Sequence, residues 1–139
     1  MDRKLDFPLR RIKVNLLLDT HILLWWLSDD AHLPKTARQW IAQEAQSVFV
    51  STASLWEISL KAAKGKLRAD LSAIHQQIER GGYIYLPVEP AHVLRLSELP
   101  AHHADPFDRM LIAQAVTEGL TIATHDPVFE KYSVPLIRG

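Results

Sequence analysis

Short apolar runs alternate with amphipathic segments along most of the chain. The runs at 15–19, 47–51, 83–88, 121–124 and 134–137 are predicted strands, and most of their residues are apolar without strict alternation. Such strands are typical of a parallel sheet that helices cover on both faces. We therefore predict an α/β fold with a mainly parallel sheet at its centre.

Helices are predicted between the strands, from proline and glycine boundaries and from apolar residues at helical spacing. Their expected ranges are 34–46, 54–64, 71–80, 90–99 and 106–118, with a turn or short helix at 126–131. The segment 21–27 is apolar on nearly every side, so it is either enclosed by the core or covered by a partner.

The chain has 139 residues, of which 47% are hydrophobic and 23% are charged, as expected for one globular domain. We predict a single domain over 14–139, preceded by a loosely ordered polar and basic leader at 1–13. The longest apolar run, at 22–27, is far shorter than the roughly 20 residues that span a bilayer. A cytoplasmic location is therefore the expectation.

Charge and cysteine content exclude several classes of function. Lys and Arg total 16 and Asp and Glu total 16, so the formal net charge is zero and any contact with nucleic acid must come from a local patch. Zero net charge also gives little repulsion between copies, which favours a self-partner or another partner. The chain contains no cysteine, which excludes disulfides, thiolate metal sites and a cysteine nucleophile.

Four acidic residues lie where a parallel sheet places its ligands. Asp19 ends the first predicted strand, Glu57 follows the second, Asp108 lies in the helix before the fourth, and Asp126 follows that fourth strand. Such sheets bind ligands at the carboxyl ends of their strands. Clustered carboxylates there predict a site for Mg²⁺ or Mn²⁺.

Helix capping is the competing interpretation for three of these acids. The sequence Ser-Leu-Trp-Glu at 54–57 is a capping box, in which the glutamate would only accept a backbone hydrogen bond. Asp105 and Asp126 each precede a proline, as N-cap residues often do, and Asp108 would be an acid of the first helical turn. Asp19 instead follows a buried strand, where a carboxylate without an evident partner lowers the stability of the fold. A functional role is therefore favoured for Asp19.

Several stretches of the chain together carry a resemblance to a known family. They are LLLDTH at 16–21, SLWEI at 54–58, GKL at 65–67, HADPFDRMLIAQA at 103–115 and THD at 124–126. In their order and spacing they resemble PIN-domain ribonucleases of the VapC toxin type, over about residues 14–137. The resemblance implies a three-layer α/β/α PIN-like fold with a central, mainly parallel five-stranded sheet.

The resemblance also implies an activity and a partner. The activity is cleavage of RNA that depends on Mg²⁺ or Mn²⁺, and the partner is a cognate antitoxin that inhibits it; a homodimer is a further expectation. The expected catalytic and metal-binding residues are Asp19, Glu57, Asp108 and Asp126. Asp105 is expected to cap its helix or support the site, and Thr20 to bind an acid or a metal-bound water, or to cap the next helix.

Basic residues near these acids are candidates for contact with the RNA backbone. Lys61 and Lys64 follow Glu57 at helical spacing, and Arg109 follows Asp108 directly. A cation beside an acidic pocket holds the flanking phosphates, and the arginine alternatively pairs with an acid. The competing interpretation of the lysines is a solvated helix face.

The apolar segment at 21–27 supplies a different kind of candidate. It has more apolar surface than one packing face uses, and two interpretations stay open, of which a helix enclosed in the core is preferred. The other is a groove for an antitoxin helix or a second subunit. The groove candidates are Ile22, Leu23, Trp25 and Trp26.

Two other functions stay open on the sequence alone. One is a Mg²⁺-dependent phosphatase of another α/β type, although Asp-Thr-His at 19–21 lacks the second aspartate that an aspartyl-phosphate site normally has. The other is a PIN-like binding module without catalytic activity, which the four intact acids disfavour.

Overall fold

The computed structural model describes residues 14–138, so the predicted leader at 1–13 lies outside the described residues. Within that range five strands form one sheet: β1 (Asn15–Leu18), β2 (Ser47–Ser51), β3 (Ile84–Leu86), β4 (Thr121–Thr124) and β5 (Leu136–Arg138). Their order is β3-β2-β1-β4-β5, and every neighbouring pair is parallel. The predicted five-stranded parallel sheet is confirmed, with β1 at its centre.

Helices connect these strands throughout the described range. They are α1 (Thr20–Leu27), α2 (Lys35–Gln39), α3 (Thr52–Ala63), α4 (Leu71–Arg80), α5 (Pro90–Glu98) and α6 (Pro106–Glu118). A π-helical turn at Trp40–Glu44 continues α2, so the single helix predicted at 34–46 has two parts, and Pro127–Lys131 forms a 3₁₀ turn. In the part of the chain that the structure describes, no helix is long and apolar enough to cross a membrane.

The apolar strand β1 divides the core into two layers. Leu16 and Leu18 face a cluster that contains Ile22 and Ile58, whereas Leu17 faces a second cluster that contains Leu111. All three leucines are fully buried, because helices cover both faces of the central strand. The arrangement confirms the three-layer architecture, in which the core holds the start of α1 and the loop before it in place.

Burial in the first cluster decides between the two interpretations of the apolar segment for two of its residues. Ile22 and Leu23 are fully buried, which confirms the core interpretation for them, and their assignment as groove candidates was wrong. Trp26 is half-buried and its indole N–H donates to the hydroxyl of Tyr83. Trp25 is also half-buried and does line a surface groove, next to α4.

Candidate active site

Asp19 lies at the carboxyl end of β1 and is also the N-cap of α1. Its Oδ1 accepts a hydrogen bond from the backbone N–H of Ile22 at 2.8 Å, and its Oδ2 accepts one from the hydroxyl of Thr124 at the end of β4. Burial raises the pKa of the Asp19 carboxyl, while these two hydrogen bonds partly oppose that effect. The carboxylate that had no evident partner in the sequence therefore has two, one of them 105 residues away.

Glu57 is a buried residue of the second turn of α3. The helix begins at Thr52, because Ser51 at the end of β2 is its N-cap and accepts from the N–H of Ala53 at 3.0 Å. The capping-box interpretation of 54–57 was therefore wrong. The glutamate accepts instead from the hydroxyl of Thr20 at 2.6 Å, so Thr20 supports this acid and is not the cap of α1.

Lys61 lies one turn after Glu57 and forms an ion pair with it. The distance from Nζ to Oε2 is 2.7 Å. The hydrogen bond to Glu57 raises the pKa of Lys61 first, and the charges of Asp105 and Asp108 raise it further. The ammonium group of Lys61 thus lies among acids and offsets part of their negative charge. Lys64, at the end of the same helix, is exposed.

Asp105 and Asp108 differ in role: Asp105 caps a helix, and Asp108 is an acid of the site. Asp105 caps α6 and accepts from the N–H groups of Phe107 and Asp108, both at 2.9 Å, which confirms its predicted capping role. Burial raises the pKa of Asp108 to about 7, and the other acids add to the shift. Those acids, in order of effect, are Asp105, Asp19, Glu57 and Asp126. The acid of α6 is therefore within electrostatic reach of every other predicted site acid.

Asp126 joins the cluster through the end of β4. It caps the 3₁₀ turn, as predicted, by accepting from the N–H of Val128 at 2.9 Å. Its own N–H donates to the Thr124 hydroxyl at 3.0 Å, and the same hydroxyl donates to Asp19. Thr124 thus links two of the acids, a role that no local signal in the sequence indicated.

The structure brings the four predicted acids together with an excess of negative charge. Lys61 is the cation that pairs with the cluster in the described residues, and it carries one charge. Oxygen ligands with uncompensated charge fit a hard divalent cation. No three of the four place one oxygen each within 4.8 Å of one another in the described residues.

A tighter group of potential ligands lies elsewhere, between α5 and α6. It consists of Glu89, His92 and Glu118. The N–H of Glu89 donates to Nδ1 of the buried His92 at 3.0 Å, so Nε2 carries the ring hydrogen and donates to Glu118 at 2.8 Å. Both ring nitrogens of His92 form hydrogen bonds, and the histidine links the two helices.

His103 is another residue beside the site that the sequence analysis did not identify. Its Nε2 lies 3.3 Å from Oδ2 of Asp108, and its Nδ1 lies 2.7 Å from the hydroxyl of Tyr132. Arg109 donates to the same hydroxyl at 3.1 Å and to the carbonyl of Pro100 at 2.7 Å. The guanidinium therefore binds a phenol and backbone instead of an acid in the described residues, and the alternative that it contacts an RNA phosphate stays a prediction.

Comparisons with known proteins agree with this geometry. Residues 16–135 match the family described as PIN domain. Ribonuclease VapC22 of Mycobacterium tuberculosis is 24% identical over 113 residues, which cover 80% of this chain and 86% of the relative.

Two solved structures share the fold. DNA-bound VapBC from Salmonella typhimurium has a TM-score of 0.68 and 16% identity, and covers 90% of this chain and 98% of its own. VapC20 of Mycobacterium tuberculosis, a toxin that cleaves the sarcin-ricin loop, has a TM-score of 0.66 and 18% identity, and covers 89% of this chain and 99% of its own. Since the matched family spans most of the sequence, this chain belongs to the PIN domain family.

Proposed function

We propose that the protein is a metal-dependent endoribonuclease toxin that cleaves RNA phosphodiester bonds and is neutralised by a cognate antitoxin. The observation that carries the proposal is that Asp108 lies close to the other three predicted acids. Burial and the charges of the neighbouring acids raise the pKa of Asp108 to about 7. Similarity to ribonuclease VapC22 and to VapBC complexes supports the substrate and the partner. Membership of the PIN family disfavours a phosphatase of another α/β type.

The proposed ligands of the cation are the carboxylates of Asp19, Glu57, Asp108 and Asp126. A Mg²⁺ or Mn²⁺ ion bound by them would polarise the scissile phosphate, offset its charge and activate water. The chain's own residues prepare the site: Thr124 and Thr20 hold two of the carboxylates by hydrogen bonds, and the core fixes the elements that carry them. Lys61 offsets one negative charge and lies next to the path of an anionic substrate.

Cleavage of end-labelled single-stranded RNA tests this proposal directly. We expect products with Mg²⁺ or Mn²⁺ and none with EDTA, while a simple phosphate ester remains intact. A folded protein that leaves RNA intact under every metal condition would instead support a binding module without catalytic activity.

Substitution of the two neighbouring acids of α6 separates the cap from the ligand. Asp108→Asn should lower cleavage by at least about a hundredfold, because a ligand loses its charge. Asp105→Asn should change it by less than about fivefold, because asparagine caps helices as well as aspartate does. Initial rates with saturating Mn²⁺ measure both. Equal losses in the two variants would show that Asp105 is a ligand as well.

We also infer that two copies of the chain associate through an apolar groove beside α3 and α6. Trp56 is 62% exposed and lies edge-on to Phe107, with ring centroids 5.1 Å apart. The groove has a volume of about 400 Å³, and its other lining residues include Val88, Leu96 and Met110. A second copy is the favoured occupant, because a zero net charge allows this apolar face to meet its own copy without repulsion.

The molar mass in solution checks the homodimer. We expect a dimer for the wild-type chain and a monomer for Trp56→Glu, since a carboxylate buried in an apolar interface has no partner. Light scattering after gel filtration measures the mass, and circular dichroism confirms that the variant is folded. A monomeric wild-type chain at high concentration would overturn the dimer.

A further inference from the structure

We propose that an unpaired base of the RNA stacks on an aromatic cluster beside the acids. The cluster is formed by Trp25 at its centre and by the rings of His21, His32 and His125 around it. The proposal rests on the proposed ribonuclease function and adds to it a site that selects single-stranded RNA.

The three imidazole rings surround the indole at nearly equal distances. The centroid of Trp25 lies 5.8 Å from that of His21, at an interplanar angle of 44°, and 5.9 Å from that of His32, at 24°. The ring of His125 meets it edge-on, at 5.8 Å and 64°. The histidines are exposed and the tryptophan is half-buried, so flat aromatic surface remains open to solvent.

The chain places this cluster at the mouth of the acidic site. His21 lies two residues after Asp19, in the first turn of the helix α1 that Asp19 caps. His125 lies between Thr124, which donates to Asp19, and Asp126. A nucleotide whose scissile phosphate lies at the acidic site would therefore place its base, or that of its neighbour, at these rings.

A groove continues from the aromatic cluster along α1 and α4. Its volume is about 720 Å³, and its lining includes Thr20 and Lys61 on the side of the acids and Lys66 and Arg68 farther along. Cations that follow a groove bind the RNA backbone, and aromatic rings bind the bases.

Two acids also line the groove, and both are engaged in local hydrogen bonds. Asp30 accepts from the N–H of His32 at 2.8 Å and lies 2.7 Å from its Nδ1. Asp70 caps α4 by accepting from the N–H of Ala73 at 3.1 Å. Within residues 14–138 Lys66 and Arg68 form no ion pair, so they can bind an anion, and the aromatic rings in the same groove favour a nucleotide over an acidic segment of a protein.

The first test measures binding of fluorescein-labelled, unstructured RNA of about 12 nucleotides by anisotropy, in low salt with EDTA so that no cleavage occurs. Trp25→Ala should weaken binding about tenfold, and Trp25→Phe less than about threefold, because phenylalanine still stacks. Trp40→Phe is the matched control, since Trp40 packs against the core away from the groove, and its binding should equal that of the wild type.

Abasic RNA distinguishes stacking from a general loss of packing. In a series of oligonucleotides with one abasic position each, one position should weaken binding to the wild type about tenfold and leave binding to Trp25→Ala nearly unchanged. If Trp25→Ala fails to fold, His21→Ala on an exposed side chain replaces it, with an expected loss of about threefold.

The outcomes separate this inference from the proposed function. Cleavage of RNA by a Trp25→Ala variant that binds as tightly as the wild type would overturn the stacking site and leave the ribonuclease in place. Binding that depends on Trp25 and on one base, without cleavage in any metal, would remove the ribonuclease and keep the stacking site. A folded wild-type chain that binds no RNA would overturn the proposal and assign the groove to a protein segment.

Discussion

Asp19→Asn is expected to reduce RNA cleavage by at least about a thousandfold while the protein remains folded. Asparagine keeps the size of the side chain, and its amide oxygen still accepts from the N–H of Ile22, so the cap of α1 is retained. The negative charge at the centre of the proposed metal site is lost. Rates with RNA and Mn²⁺, measured beside urea unfolding of the same preparation, check both parts.

Asp29→Asn provides a control of the same chemistry outside the site. Asp29 is 84% exposed, pairs with Arg38 at 2.9 Å and has a positive φ of 51°, which asparagine also tolerates. Its cleavage rate should equal that of the wild type. Because burial raises the pKa of Asp19 and the charge of Asp126 adds to it, Asp19→Asn should be at least as stable as the wild type without metal. Wild-type activity in a folded Asp19→Asn protein would refute the assignment of the site.

In metal-free buffer the free energy of unfolding should fall as the pH rises from about 4 to about 7, because of Asp108. Its pKa is about 7 in the folded chain and 3.8 as the model value, so the folded state holds the proton more tightly. The stabilisation is complete below the unfolded pKa and is lost as the pH rises through the folded one. A shift of this size corresponds to roughly 4 kcal/mol for a fully buried group, and the effect of Asp108 should be smaller because solvent screens part of its charge.

Urea unfolding in EDTA at several pH values measures this dependence. Asp108→Asn should remove most of the slope, whereas Asp29→Asn should retain it. A hundredfold excess of Mn²⁺ over its Kd should add about 2.7 kcal/mol. The apparent affinity should weaken below about pH 7, where the cation must displace a proton. A wild-type curve without this slope, together with no effect of Mn²⁺, would mean that the acids are separate caps.

The elements with strong boundary signals were predictable from the sequence. The limits of α6 and β4 agree with the prediction, because a capped proline begins the helix and Gly119, at a φ of 71°, ends it. The positions of Asp19 and Asp126 at strand ends followed from the apolar runs before them. These features depend on local chemistry, which a single sequence contains.

The predictions that were wrong or missing concern features that depend on contacts between distant segments. The serine of the apparent capping box lies inside α3, because Ser51 at the end of β2 already caps the helix. Local sequence could not show that Arg109 binds the carbonyl of Pro100, or that His103 lies beside Asp108. Ile22 was named as a groove candidate beside the core interpretation, because hydrophobicity alone does not tell which side of a short apolar helix faces the sheet.

The central position of β1 has a consequence for the order in which activity can arise during synthesis. Leu17 pairs with Ile122, and Asp19 receives its hydrogen bond from Thr124, so the site is closed by contacts between nearly opposite ends of the chain. Such distant contacts form late in folding. A nascent chain that lacks β4 has three of the four acids and no assembled site. The proposed nuclease site would thus be assembled during synthesis only after β4 has been made.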